Sequence, residues 1–150
     1  MKLNRGVTPG DTSLTLWRQE NERGTGDVIV RPPGKIFILD PQVFTLFDLI
    51  SRDLFSRPFR KRPIQLLVLS TRDTVVQAMA TDLGVETLRW GQRPVQARKY
   101  LIADTTSEFY TWMAPHGVMI KMEQPATGLR VVRKHRLDGP QTSNPATETP

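Results

Sequence analysis

Histidine, cysteine and serine, which do most nucleophilic and metal chemistry in proteins, are scarce in this chain or wrongly spaced for it. There are two histidines, His116 and His135, and no cysteine, so disulfides and thiolate metal sites are excluded. His116 lies in the turn former Pro115-His116-Gly117 and His135 among Arg133, Lys134 and Arg136. A shared ion would need a further ligand from carboxylates that show no ligand spacing, so solvated surface imidazoles are expected. Ser107, His116 and Asp104 make a nucleophilic triad only on paper, because nothing around Ser107 builds the strand-turn-helix elbow that presents such a serine. Paired-carboxylate chemistry needs two acids converging with separated pKa values. Glu86, Glu108 and Glu123 fall on strand-like runs and Asp48 and Asp53 on a helical one, and periodicity turns most of them outward. Gly24-Thr25-Gly26 opens no helix and so makes no phosphate cradle. No catalytic residue, metal or cofactor is expected, and binding is expected ahead of catalysis.

Two features suit binding. The first is cationic: Arg57-Pro58-Phe59-Arg60-Lys61-Arg62 in one segment and Arg130, Arg133, Lys134 and Arg136 in another. If the segments converge, Arg60, Lys61, Arg62, Arg133, Lys134 and Arg136 form an anion-binding surface, and the interleaved Phe59 suits single-stranded nucleic acid. If they do not, they are a basic loop and a charged terminal strand that discourages edge-to-edge pairing. Specific nucleic-acid recognition is not expected. The second feature is apolar: Trp17, Trp90 and Trp112 accompany Phe44, Phe47, Phe109, Met79, Met113, Met119 and Met122. Methionine-rich linings adapt to variable ligands. Phe44, Phe47, Trp90, Trp112, Met113 and Met122 are therefore the candidate lining of an apolar cavity, with simple core packing as the alternative.

Local structure has to place these side chains. Asp40-Pro41 carries a favoured N-cap followed by proline at the first helical position, which predicts a helix over about 41–55. Val43, Phe47, Ile50 and Leu54 form its apolar seam, with Phe44, Leu46 and Phe55 widening it and Asp48, Ser51 and Arg52 on the polar side. Pro58 and Pro63 stop the helix and leave 57–62 as a loop. Before it, 12–18 alternates as a strand, 19–26 reads as a turn, and 27–31 and 35–39 flank Pro32-Pro33-Gly34 as a second hairpin. After it, strand-like runs at 64–70, 74–80, 85–90, 95–103, 108–113, 118–123 and 129–137 are separated by turn formers. About nine strands and one helix predict a mainly β fold: a curved antiparallel sheet or half-barrel wrapped around one central helix.

The expected organisation is a flexible N-terminus at 1–11, one β domain at 12–137 and a disordered tail at 138–150, which has too little apolar mass to offset its ordering entropy. A chain of 150 residues supports one real core. Its net charge of +6 favours anionic partners without naming one. The longest apolar run, Leu66 to Leu69, is far short of a membrane span, and 1–12 lacks the apolar stretch of a leader peptide. The compartment stays open: periplasm or envelope if a leader has been removed, cytoplasm if Met1 is the start.

Ala97-Arg98-Lys99-Tyr100, then Phe109-Tyr110-Thr111-Trp112, the turn Pro115-His116-Gly117 and Val118-Met119-Ile120-Lys121-Met122 resemble the C-terminal half of uncharacterised bacterial envelope domains. In those domains a Trp-containing hairpin follows a strand with the same alternation, and the similarity covers roughly 12–137. The resemblance implies a lipoprotein-carrier type of half-barrel whose concave face holds an acyl or other apolar ligand. Where that pattern has Asp two residues after Trp, this chain has Ala114, so the hairpin lacks a carboxylate cap. The same fold also serves substrate-positioning enzymes, which keeps an enzyme, alongside a basic-surface binder of nucleic acid or an acidic partner, as an alternative to the carrier.

Overall fold

A computed structural model describes residues 3–134, so the proposed tail at 138–150 lies outside the described residues. The fold is mainly β, with ten strands and one α-helix among those residues, and it divides into two compact units between Ile36 and Phe37.

The first unit is an antiparallel sheet of β1 (Leu3–Pro9), β2 (Ser13–Glu20) and β3 (Arg23–Val30) in that order. Residues 3–9, expected to be flexible, pair with β2 along their whole length, from Leu3 opposite Glu20 to Pro9 opposite Leu14. Their own apolar pattern is too thin to announce a strand; the partner strand supplies the order. The long turn expected at 19–26 is only Asn21-Glu22, with Asn21 at φ 55° in the left-handed region that asparagine tolerates. Gly24 and Gly26 lie inside β3. Pro32-Pro33-Gly34 does not close a hairpin, because β3 pairs with β2 while the next strand joins the other sheet. Two consecutive residues without N–H groups end a ladder rather than continue it.

The second unit contains β4 (Ile36–Leu39) from Phe37 onward, α1 (Phe44–Phe55), β5 (Lys61–Val68), β6 (Thr74–Trp90), β7 (Arg93–Ala103), β8 (Glu108–Met113), β9 (Met119–Gln124) and β10 (Leu129–Val132). The strands form one antiparallel sheet of order β10-β9-β8-β7-β6-β5-β4, curled into a half-barrel. The helix starts three residues later than the Asp40-Pro41 signal predicts. Asp40 spends its side chain on the N–H of Gln42 at 2.9 Å and its carbonyl on the N–H of Val43, making a turn that only then leads into α1. Phe47, Ile50 and Leu54 pack into the sheet as the seam requires, whereas Val43 at the N-cap stays largely exposed.

β6 runs for 17 residues through Asp82-Leu83-Gly84, whose composition predicts a turn between two strands. One extra residue is accommodated there as a bulge: Asp82 faces Tyr100 and Val85 faces Arg98. Gly84 takes φ 89° and donates its N–H to the Asp82 carboxylate at 2.8 Å. Because β7 pairs on both sides of the bulge, the chain bends without reversing.

Candidate functional site

Strand alternation decides which candidate residues can meet. On β8, Phe109, Thr111 and Met113 face α1, while Tyr110 and Trp112 face away. Phe47, Met113 and Met122 belong to the core under the helix, together with Leu54, Ile102 and Phe109. Met113 and Met122 are fully buried, and Phe47 packs on Phe109 with ring centroids 5.0 Å apart. Trp112 and Trp90 lie on the opposite face with Ala97, Ala114 and Ile120. The six apolar candidates therefore do not line one cavity. Met113 and Met122 are core packing, and the two tryptophans are separated from them by the thickness of the sheet.

Trp112 is the centre of a small polar-aromatic cluster on that opposite face. Its indole N–H donates to Glu86, Lys121 Nζ sits 4.1 Å from its ring centroid, and Lys99 Nζ lies 4.8 Å from it. Lys121 is also paired with Glu123 at 2.8 Å. These cation-π contacts hold the ring and its charges in mutual register. The hairpin beyond it closes on backbone alone, Ala114 N–H to Val118 O at 2.9 Å, so the absent carboxylate cap is not needed.

Of the six candidate lining residues, Phe44 lines an open depression. This groove of about 170 Å³ lies between the first turns of α1 and the outer strands β9 and β10, walled by Phe44, Thr45, Met119 and Val131 with Asp48 and Arg133 at its polar end. Asp48 is buried and organises that end: Oδ1 accepts the N–H of Met119 at 3.1 Å, and Oδ2 accepts from Arg52 at 2.9 Å and Arg133 at 3.5 Å. Arg133 is fixed further by its Nε donating to Met119 O at 2.9 Å, and Trp90 Nε1 donates to the Arg133 carbonyl at 2.7 Å. One carboxylate thus shares two guanidinium groups, which leaves the polar end with a net positive charge. Helical periodicity puts Asp48 and Ser51 on the polar side of α1; the structure buries both. Ser51 donates to Thr111 across the core at 3.0 Å.

The two basic segments do not merge across the sheet. β5 and β10 have four strands between them. Arg60 to Arg62 is not a free loop either, because Lys61 and Arg62 open β5 opposite Thr81 and Ala80. Arg62 is ion-paired with Asp53 and stacked over Phe59, and Arg133 is held by Asp48. Both acids are on α1, so these two paired arginines anchor opposite sides of the sheet to the helix. Arg60, Lys61 and Lys134 are exposed, and Arg136 lies outside the described residues.

The paper triad is also taken apart. Asp104 and Ser107 occupy the β7–β8 turn and His116 the β8–β9 turn, at opposite ends of a strand about 20 Å long. Burial pushes the Asp104 carboxyl up, but hydrogen bonds from the Thr106 N–H and hydroxyl and the Ser107 N–H outweigh it and hold the group below its ordinary value. It is a turn-capping carboxylate. Among the described residues no three acids or histidines gather as metal ligands.

A second, partly buried cluster lies beside the β6 bulge. Asp82 accepts from Arg98 at 2.6 Å, and Tyr100 stacks on Phe59 at 5.7 Å between centroids. Burial first, and then the Asp82 carboxylate, push the Tyr100 hydroxyl from 10.0 up to about 12. A raised folded-state value means that the unfolded chain releases this proton first as pH rises. The associated stability is therefore intact below about pH 10 and lost between about pH 10 and 12. Melting curves across that window should show wild type losing stability relative to Tyr100→Phe, with parallel profiles below it; profiles that stay parallel up to pH 12 would mean the phenol is not buried beside Asp82.

Sequence reasoning missed Asp48, Met119 and Val131 as groove residues. The signal for Asp48 was present: Phe44, Asp48, Ser51 and Phe55, spaced four, three and four, form a stripe beside the apolar seam. No family model matches the chain, and no curated protein or solved structure matches it either.

Proposed function

We propose that the protein is a non-enzymatic binding module that holds a short apolar or acyl group in the groove between α1 and β9–β10, with an anionic head toward Arg133. One observation carries the reading: an open apolar groove ends at a carboxylate that two arginines share. A half-barrel packed against one helix is also what the resemblance to lipoprotein-carrier domains implies, and this supports the reading. The dimensions narrow the ligand. An enclosed apolar cavity of about 150 Å³ accepts benzene, and drug-sized ligands need roughly 300 Å³ or more, so this groove takes about six to eight apolar atoms and not a whole lipid chain.

Calorimetric titration with butanoate, hexanoate, octanoate and hexadecanoate tests this. Hexanoate and octanoate should bind with Kd on the order of 0.1–1 mM, the range open to so few atoms. Hexylamine, of the same length and opposite charge, should bind at least tenfold more weakly. Thr45→Trp fills the groove from an exposed helical position without removing a core contact, and it should abolish binding. Equal binding by Thr45→Trp, or by the amine, would remove this site from consideration.

A further inference from the structure

The three-stranded sheet of the first unit presents one face that is unlike the rest of this charged chain. Gly6, Trp17 and Gly26 form one cross-strand row, so the only large side chain of the row has a glycine on each side. A Cβ at Gly6 would meet Cε2 and Cζ2 of Trp17 at 2.3 Å and Nε1 at 2.5 Å, which shows the indole laid across the β1 backbone. Trp17 is nevertheless 42% exposed. The next row on one side is Thr8, Thr15 and Val28, and on the other Asn4, Gln19 and Gly24, all exposed. Among the described residues of the three strands, charge is confined to the other face, where Arg5 pairs with Arg18 and Leu16 with Asp27, and where Leu14 and Leu16 are buried.

We propose that this face is a binding platform for a neutral polysaccharide, with Trp17 as the stacking residue. The C–H groups of a sugar ring carry partial positive charge and lie against the negative face of an indole. Hydroxyl and carboxamide groups both donate and accept, which matches sugar hydroxyls from either direction. The flanking glycines keep the approach to the ring clear. A phosphate polymer is a poor fit, because its recognition depends on Lys and Arg contacts that this face lacks. The platform is separate from the groove of the second unit and does not depend on it.

Affinity electrophoresis of the full chain through native gels containing soluble mixed-linkage β-glucan, xylan or galactomannan tests the proposal. At least one of these should retard the wild-type protein, and Trp17→Ala should weaken that retardation at least tenfold. Val28→Glu, at a side chain 70% exposed, adds charge to the platform without touching a packed residue and should do the same. Gly6→Val, which drives the indole off its seat, should follow, while Leu49→Gln on the exposed side of α1 should run as wild type. No retardation by any of the three polysaccharides, or retardation unchanged in Val28→Glu, would overturn the proposal. A concentration-dependent dimer that Val28→Glu dissociates would also overturn it, by showing that a second copy of the chain covers the face.

Discussion

Replacing Phe47 with alanine is expected to lower the unfolding free energy by about 3–5 kcal/mol, the range for truncating a well-packed aromatic. Phe47 is 1% exposed and contacts Phe109 on the sheet, so it ties α1 to the centre of the half-barrel. The surrounding core cannot easily collapse into the space, because its neighbours are held on sheet positions whose register is set by backbone hydrogen bonds. Leu49, two residues along and 60% exposed, is the matched comparison, and Leu49→Ala should fall within about 0.5 kcal/mol of wild type. Denaturant titrations of the two variants decide the matter. A loss below 1 kcal/mol for Phe47→Ala would mean that α1 does not fill the sheet.

Asp48→Ala should cost about 2–4 kcal/mol. Most of that comes from the Met119 N–H, a buried donor that would lose its acceptor; the ion pairs add less because Arg52 and Arg133 are about half exposed. Asp48→Asn separates the two contributions. It keeps an oxygen for Met119 while removing the charge, so it should cost only about 1 kcal/mol. Equal losses for the two variants would show that charge, and not the buried N–H, is what Asp48 serves. Both variants also remove the carboxylate that Arg133 shares with Arg52 at the end of the groove, leaving Arg133 held by the Met119 carbonyl.

Much of the architecture was legible because the signals for it are local and redundant. The Phe47, Ile50 and Leu54 spacing identifies the inner face of α1, and regularly placed turn formers identify an antiparallel meander. The errors have physical reasons. Asp40-Pro41 carries the chemistry of a helix start, but the same Asp oxygen can cap a turn one step earlier, and here it does. Asp82-Leu83-Gly84 has the composition of a reversal, yet one surplus residue in a paired strand makes a bulge. Pairing with β2 orders residues 3–9, which no reading of that segment by itself could supply.

The candidate site was much less legible, because its residues meet only through strand alternation and the packing of α1 on the sheet. Trp112 and Met113 are consecutive in a strand and must point to opposite faces, so they could never line one cavity. Asp48 looked solvent-facing because a carboxylate beside an arginine one helical turn away is usually a surface pair; its burial depends on a backbone N–H 71 residues distant. Arg62 and Arg133 read as free charge because their partners, Asp53 and Asp48, are assigned only by the packing of the helix.

The groove is the claim on which the proposed function stands, and methyl NMR of the methionines reads it directly. The chain has five methionines, of which Met119 lines the groove while Met113 and Met122 are sealed in the core. On titration with hexanoate the Met119 methyl signal should shift and saturate with the calorimetric Kd, while those of Met113 and Met122 move little. In Thr45→Trp the Met119 signal should no longer respond. If the Met119 signal stays still while hexanoate binds, the ligand sits elsewhere and the groove is not the binding site.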